Sequence, residues 1–512
     1  MMYLLAALPI LIVIVLMLAA RWGGQRAGPV GWLAGIVIAG FAFGLTPQVL
    51  WVSQARGLLL SLYVLAVLWP ALLLYHVVNQ AGGIRAIALT LEHLIADRPL
   101  LLLVVAWAFS GLLEGLAGFG LPVAVVAPIL TSLGVAPVLS VAAVAVGHSW
   151  AVTFGDMGVI FQTLLAVTKM DAAALAPASA VMLGFACLLC GLATAHLLKL
   201  GRRWLAVVML AVLMALTQGA LALAGLYALG ALGAGVVGVL GGVVLSRRRA
   251  VAGEEEKRSR GEGEISSGKA LTGALLSYGG LTALMSGIAL IQPLRVMLSA
   301  WVWQMNFPQV VTRSGFVTAE GPGQIFRPLI HPGTSLLLAA ILGYWLYRRM
   351  GHCGAGSWRT ALQATWRSAA PSSVGILSMV GLAALMDHCG MTLALAQSLS
   401  AVMGAAFPLV SPWVGMLGAF ATGSNNNSNV LFGMLQKNAA LLLAIDPRIL
   451  LAAQTAGGSL GSMIAPAKII VGCGTVGAKG RDGDVLRMTL PYGLLIGLAM
   501  GVLALLWTQL VR

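Results

Sequence analysis

Three acidic residues stand in apolar sequence away from obvious loops: Glu114, Asp156 and Asp387. An ionised group at bilayer depth costs about 2.5–3.5 kcal/mol on insertion scales, so such residues mark pathways or pairs. Glu114 opens the run Glu114-Gly-Leu-Ala-Gly-Phe-Gly-Leu-Pro122, and Gly115, Gly118, Gly120 and Pro122 suit no regular helix. A second run, Ala421-Thr-Gly-Ser-Asn-Asn-Asn-Ser-Asn-Val-Leu-Phe432, sets Ser424, Asn425, Asn426, Asn427, Ser428 and Asn429 before an abruptly apolar stretch. That is the pattern of a capped helix start. Backbone N–H groups at Gly115, Gly118, Phe119 and Gly120, with a positive helix end at Ser424–Asn429, suit a substrate carboxylate. The Asn and Ser oxygens also suit Na⁺.

Lys468 follows Pro466 and precedes Ile469-Ile470-Val471, an odd place for a solvated ammonium. Three readings stay open: it binds the substrate carboxylate, it pairs with Asp156 as a buried bridge, or it snorkels to an interface. Glu114, Asp156 and Asp387 are candidate proton carriers. Burial favours a protonated carboxyl and a nearby cation an ionised one, so a group between the two can exchange a proton. The alternative for Glu114 is a structural carboxylate capping nearby amides. His148, in Gly147-His-Ser-Trp150, is a candidate relay, and Arg327 and His331 either attract anions or lie in a solvated loop. Cys187, Cys190, Cys353, Cys389 and Cys473 form no metal or disulfide pattern and read as packing residues. No His-Glu-x-x-His or Gly-x-Ser-x-Gly context appears, and Thr153 breaks the Gly-x-Gly-Asp pattern at Gly155-Asp156. A non-enzyme without cofactor is expected.

The elements that must hold these groups are membrane helices. Sixty per cent of the 512 residues are hydrophobic and 9% charged, against about 25% charged in soluble domains. Stretches such as Leu58–Val78, Ala178–Leu198 and Pro491–Trp507 meet the length of roughly 20 apolar residues that a crossing needs, and about 12–14 crossings are expected. The fold expected is an all-α polytopic membrane protein, one transporter domain over 1–512, in a bacterial inner membrane. The net charge of +15 sits in alternate short loops, among them Arg21 and Arg26, Arg85 and Arg98, Arg202 and Arg203, and Arg348 to Arg367. That alternation places those loops in the cytoplasm, and it answers the bilayer rather than nucleic acid. Residues 247–269 form a charged linker with no apolar periodicity, expected to be flexible and cytoplasmic.

Sliding the chain on itself by 308 residues sets Asn79-Gln-Ala-Gly82 on Asp387-His-Cys-Gly390 and Glu114-Gly115 on Thr422-Gly423. The charge map puts Asn79 and Asp387 on opposite sides of the membrane. Two cores, 79–158 and 387–468, are therefore expected as inverted repeats, each with one broken or re-entrant segment.

Glu114-Gly-x-Ala-Gly-Phe-Gly-x-Pro122, Thr422-Gly-Ser-x-x-x-Ser-Asn-x-Leu-Phe432 and Gly457-Gly-x-x-Gly-x-Met-Ile-x-Pro466 resemble the signatures of the L-lactate permease family. The resemblance covers roughly Asn79–Gly158 and Asp387–Trp507. It implies proton-coupled uptake of lactate or glycolate. The sequence departs from that family's pattern at Asp156, at Lys468 and in the triple Asn425-Asn426-Asn427. A small 2-hydroxymonocarboxylate and H⁺ are the expected partners. Na⁺ coupling to another organic acid, an anion channel, and a monomer or homodimer remain open alternatives.

Overall fold

The computed structural model describes all residues except Met1, Ala19, Arg21, Gly23, 117–119, 251–263, Ala355, 479–480 and Arg512. The chain is helical almost throughout. Among the described residues nine helices are long and apolar enough to cross a membrane, including Pro47–Gln80, Ala172–Leu197, Ser357–His388 and Asp482–Leu510. Met2–Leu16 and Pro122–Ser132 are apolar but shorter. At 1.5 Å per residue, a helix as short as Pro122–Ser132 covers about half of a 30 Å hydrocarbon layer. The described strands are two-residue pieces, Asn306–Phe307 paired with Gly321–Pro322 and Val310–Val311 with Val317–Thr318.

Seven helices recur in the same order from Pro47 and from Ser357. A long helix (Pro47–Gln80; Ser357–His388) ends at a left-handed glycine, Gly82 at φ 78° or Gly390 at φ 75°. A short helix follows (Gly83–Leu94; Met391–Met403), then one leading to the break (Arg98–Leu116, with a π-helical Val104–Phe109; Phe407–Thr422). Gly120 at φ 84° and Gly423 at φ 70° stand at the breaks, a backbone that glycine adopts without strain. Beyond them come Leu121–Ser132 or Asn425–Leu442, and Pro137–His148 or Pro447–Gly461. A short helix (Val159–Thr168; Pro466–Thr475) and a long one (Ala172–Leu197; Asp482–Leu510) close each series.

Small residues set the packing around the second break. A methyl group at Gly457 would overlap the carbonyl of Pro412, and one at Gly415 that of Gln454. The helices Phe407–Thr422 and Pro447–Gly461 thus touch backbone to backbone, the close approach that small residues permit where lipid supplies no hydrophobic drive. The Pro47 and Ser357 helices run antiparallel: Gln54 Nε2 donates to Gly381 O (3.2 Å) and Trp69 Nε1 to Ser373 Oγ (3.1 Å), while His76 meets Ser368. Of the 247–269 linker, the described parts are helical, because the flanking helices run to Ala250 and from Glu264.

Candidate functional site

The Asn425 helix begins at Ser424, an extended residue (φ −149°, ψ 122°) whose hydroxyl accepts the Asn427 N–H. Thr422 steadies the turn, donating to Gly418 O (2.7 Å) and accepting from Ser424 N (3.3 Å). Asn425, Asn426, Asn427, Ser428 and Asn429 are all buried. Asn425 Nδ2 donates to Thr153 Oγ1 and to Thr455 O, both at 3.1 Å, and Thr153 Oγ1 donates to Thr455 O (2.9 Å). This small network joins the Asn425 helix, the Pro447 helix and the irregular segment that follows His148. Ser428 donates to Gly415 O (2.7 Å), and Asn429 Nδ2 to Thr455 Oγ1 (2.9 Å). These two side chains hold the helix start in place from behind.

Residues 149–158, bonded to the Asn425 helix through Thr153, leave the α-helix between the Pro137 and Val159 helices. Asp156 and Met157 both take left-handed backbone, at φ 49° and 52°. Such a conformation costs about 1–3 kcal/mol per non-glycine residue and persists only where the surroundings impose it. Glu114 lies in the last turn of the helix ending at Leu116, fully buried, with no hydrogen-bond partner for either carboxylate oxygen among the described residues. A methyl group at Gly155 would lie 2.8 Å from Glu114 O and 3.0 Å from its Cγ, so the Asp156 turn packs directly on Glu114. Lys468 enters from the second series, in the first turn of the Pro466 helix and only 8% exposed. Its ammonium acts electrostatically on both Glu114 and His148.

A cavity of about 400 Å³ collects these groups: Glu114, Asp156, Ser424, Asn425, Asn426, Asn427 and Lys468 all line it. Gly120 sits beside it, its Cβ position 3.4 Å from Lys468 Cγ. Gly118 and Phe119 lie outside the described residues. Gly115 stands elsewhere: its Cβ would clash with the backbone of Leu232, so this glycine lets the Gly230–Ala250 helix approach. Ser428 and Asn429 support the wall without lining it. His148 is buried with Nδ1 2.7 Å from Val144 O; that nitrogen therefore carries the proton, and Nε2 has no hydrogen-bond partner among the described residues. Sequence reasoning did not single out Gln25, Ser368 and Ser372, which line the cavity together with Thr422 of the second signature, nor Thr455, which anchors its wall. Ser368 and Ser372, four residues apart around Pro371, could have been found by helical spacing. Lone hydroxyls at Thr153 and Thr455 carry no such signal.

Asp387 lies apart, in a second cavity of about 700 Å³ with Arg56, Lys169 and His388. The two cavities share four helices. Leu72, Ile160, Ile376 and Asn427 belong to the first; Leu60, Leu165, Val380 and Val430, on the same helices, to the second. Between them lie Leu68, Leu164 and Met379, none with exposed surface.

The family model described as L-lactate permease matches residues 2–511. The chain belongs to the L-lactate permease family. Relatives within it include the glycolate permease GlcA of Escherichia coli (strain K12), 26% identical over 98% of this chain and 95% of its own. The L-lactate permease of Bacillus subtilis (strain 168) matches at 26% with the same coverage. Among solved structures, the Alcanivorax borkumensis YdaH transporter aligns with TM-score 0.49 at 17% identity, covering 86% of this chain and 84% of that one. Neisseria gonorrhoeae MtrF aligns with TM-score 0.48 at 14% identity, covering 98% and 95%. As an L-lactate permease family member with nine apolar candidate spans among its described residues, the chain is a multi-pass protein of the bacterial inner membrane.

Proposed function

We propose that this permease imports L-lactate or a related 2-hydroxymonocarboxylate such as glycolate, coupled to H⁺, through the cavity at the two helix breaks. The carrying observation is the meeting of Lys468, Glu114 and the Asn425 helix start in one buried space. A cation and a positive helix end supply the carboxylate site. Glu114 supplies a proton site next to it. A carboxylate beside a bound anion is repelled unless protonated, so proton and substrate favour each other's binding, the reciprocity that symport requires. The permeases of lactate and glycolate among the relatives are consistent with this substrate class.

The two helical series are read as inverted repeats around this cavity, an arrangement that suits alternating access. The buried side chains of Leu68, Leu164 and Met379, on three of the helices that the two cavities share, support a carrier over an open anion channel, and permease relatives support a carrier over an enzyme. One observation favours a second reading. Four amide oxygens, Asn425, Asn426, Asn427 and Asn429 Oδ1, have no donor among the described residues, and oxygen-rich sites suit Na⁺ as well. Counterflow in proteoliposomes tests the substrate: lactate-loaded vesicles should accumulate labelled L-lactate transiently, and external glycolate should compete. Equal labelling of loaded and empty vesicles would refute it.

A further inference from the structure

The three consecutive asparagines are not equivalent. Asn425 spends its Nδ2 on structure, bonded to Thr153 and Thr455, while its Oδ1, with no donor among the described residues, stands against Gly458. Asn427 leaves Oδ1 unpartnered, while its Nδ2 lies 3.6 Å from a Cβ position at Gly24. Asn426 differs from both. It is 4% exposed, it lines the cavity that holds Lys468, and neither Nδ2 nor Oδ1 has a hydrogen-bond partner among the described residues. Exchanging O and N in the amide changes nothing, since both atoms are bare. Buried polar groups are nearly always bonded, and a wholly unbonded amide loses about 1–3 kcal/mol for each group so left. A protein retains such a group where a bound water or a ligand completes it, and the cavity beside Asn426 has room for either.

We infer that Asn426 is the specificity-determining residue that reads the substrate's 2-hydroxyl; the inference rests on the transport reading above. A 2-hydroxymonocarboxylate offers a carboxylate, which the Lys468 ammonium takes, and a hydroxyl on the adjacent carbon that both donates and accepts. A primary amide is a neutral side chain that offers such a hydroxyl a donor and an acceptor side by side. Glycolate and lactate meet this requirement and propionate, which lacks the hydroxyl, does not. Lactate gives Asn426 the partners that the empty site lacks and propionate does not, and sites built around a substrate hydroxyl reject the analogue lacking it far more strongly than an apolar pocket rejects a spare methylene.

The test is the ratio of kcat/KM for L-lactate over propionate, measured by labelled uptake in proteoliposomes for wild type, Asn426→Ala, Asn426→Ser and Asn425→Ala. The wild-type ratio should be about 100 or more. In Asn426→Ala it should fall below about tenfold, through a raised lactate KM, as expected on losing a buried hydrogen-bonding group. Asn426→Ser, which keeps a short hydroxyl, should be intermediate, and Asn425→Ala should lower both substrates together with little change in ratio. An undiminished ratio in both Asn426 variants overturns the assignment, as does a fall of both substrates in parallel. A wild type that carries neither acid overturns the transport reading itself, and this assignment with it.

Discussion

Gly458→Ala tests whether the Asn425 network holds the site together. A methyl group there would overlap Asn425 Oδ1 and lie 2.8 Å from its Cγ, so the amide must swing away. It then gives up two 3.1 Å hydrogen bonds, to Thr153 Oγ1 and Thr455 O. Two buried bonds lost, with acceptors left partly unpaired, cost about 2–4 kcal/mol. Replacing a helical glycine by alanine returns roughly 1 kcal/mol, leaving a net destabilisation of about 1–3 kcal/mol. Gly474→Ala is the control, because nothing lies within 4 Å of its Cβ position. Thermal unfolding of the detergent-purified protein and the initial rate of lactate counterflow are the readouts. Both should fall in Gly458→Ala; in Gly474→Ala, also a helical position, the rate should hold and the midpoint hold or rise. In an Asn425→Ala background the clash is gone, so adding Gly458→Ala should return the roughly 1 kcal/mol of helix propensity instead of costing stability, a coupling of about 2–4 kcal/mol. The reasoning is refuted if Gly458→Ala unfolds no earlier than Gly474→Ala, or if its cost is unchanged in the Asn425→Ala background.

Lys468→Gln should raise the lactate KM at least tenfold, since a charge-assisted bond is worth about 1.5–3 kcal/mol, and Lys468→Arg should fall between; concentration series of labelled uptake would show it. Glu114→Gln should still exchange lactate but lose accumulation driven by a pH gradient; if it still concentrates lactate, Glu114 is structural. Ala444 sits in an exposed turn at φ 54°, so Ala444→Gly should raise the thermal midpoint by relieving about 1 kcal/mol of left-handed backbone, with transport unchanged.

The cavity could be foreseen where composition betrays it. Gly120, Pro122 and the Ser424–Asn429 run break the apolar pattern; of these, Ser424, Asn425, Asn426 and Asn427 line one cavity with Lys468 and Glu114, and Gly120 lies beside Lys468. Gly115 shows the limit of that logic. A glycine serves a ligand's approach or a neighbouring helix's approach equally well, and only Leu232 decides between them. Asp387 failed to join the site for a reason of length. It stands 15 residues beyond Ser372 on one continuous helix, roughly 22 Å along the axis, and so falls in the other cavity. Paired strands between Asn306 and Pro322 were invisible because runs of two residues carry no period. The helical ends of the 247–269 linker escaped notice because polar sequence at the end of a long helix has no apolar face to reveal it.

Uptake of labelled L-lactate into proteoliposomes, with pH and Na⁺ gradients imposed separately, tests the central claim most directly. The proposed mechanism predicts accumulation above equilibrium when the outside is acidic, collapse of that accumulation when a protonophore removes the gradient, and no response to Na⁺. Accumulation that follows Na⁺ at uniform pH would move coupling to the asparagine oxygens. Uptake that merely equilibrates under every gradient would contradict symport altogether.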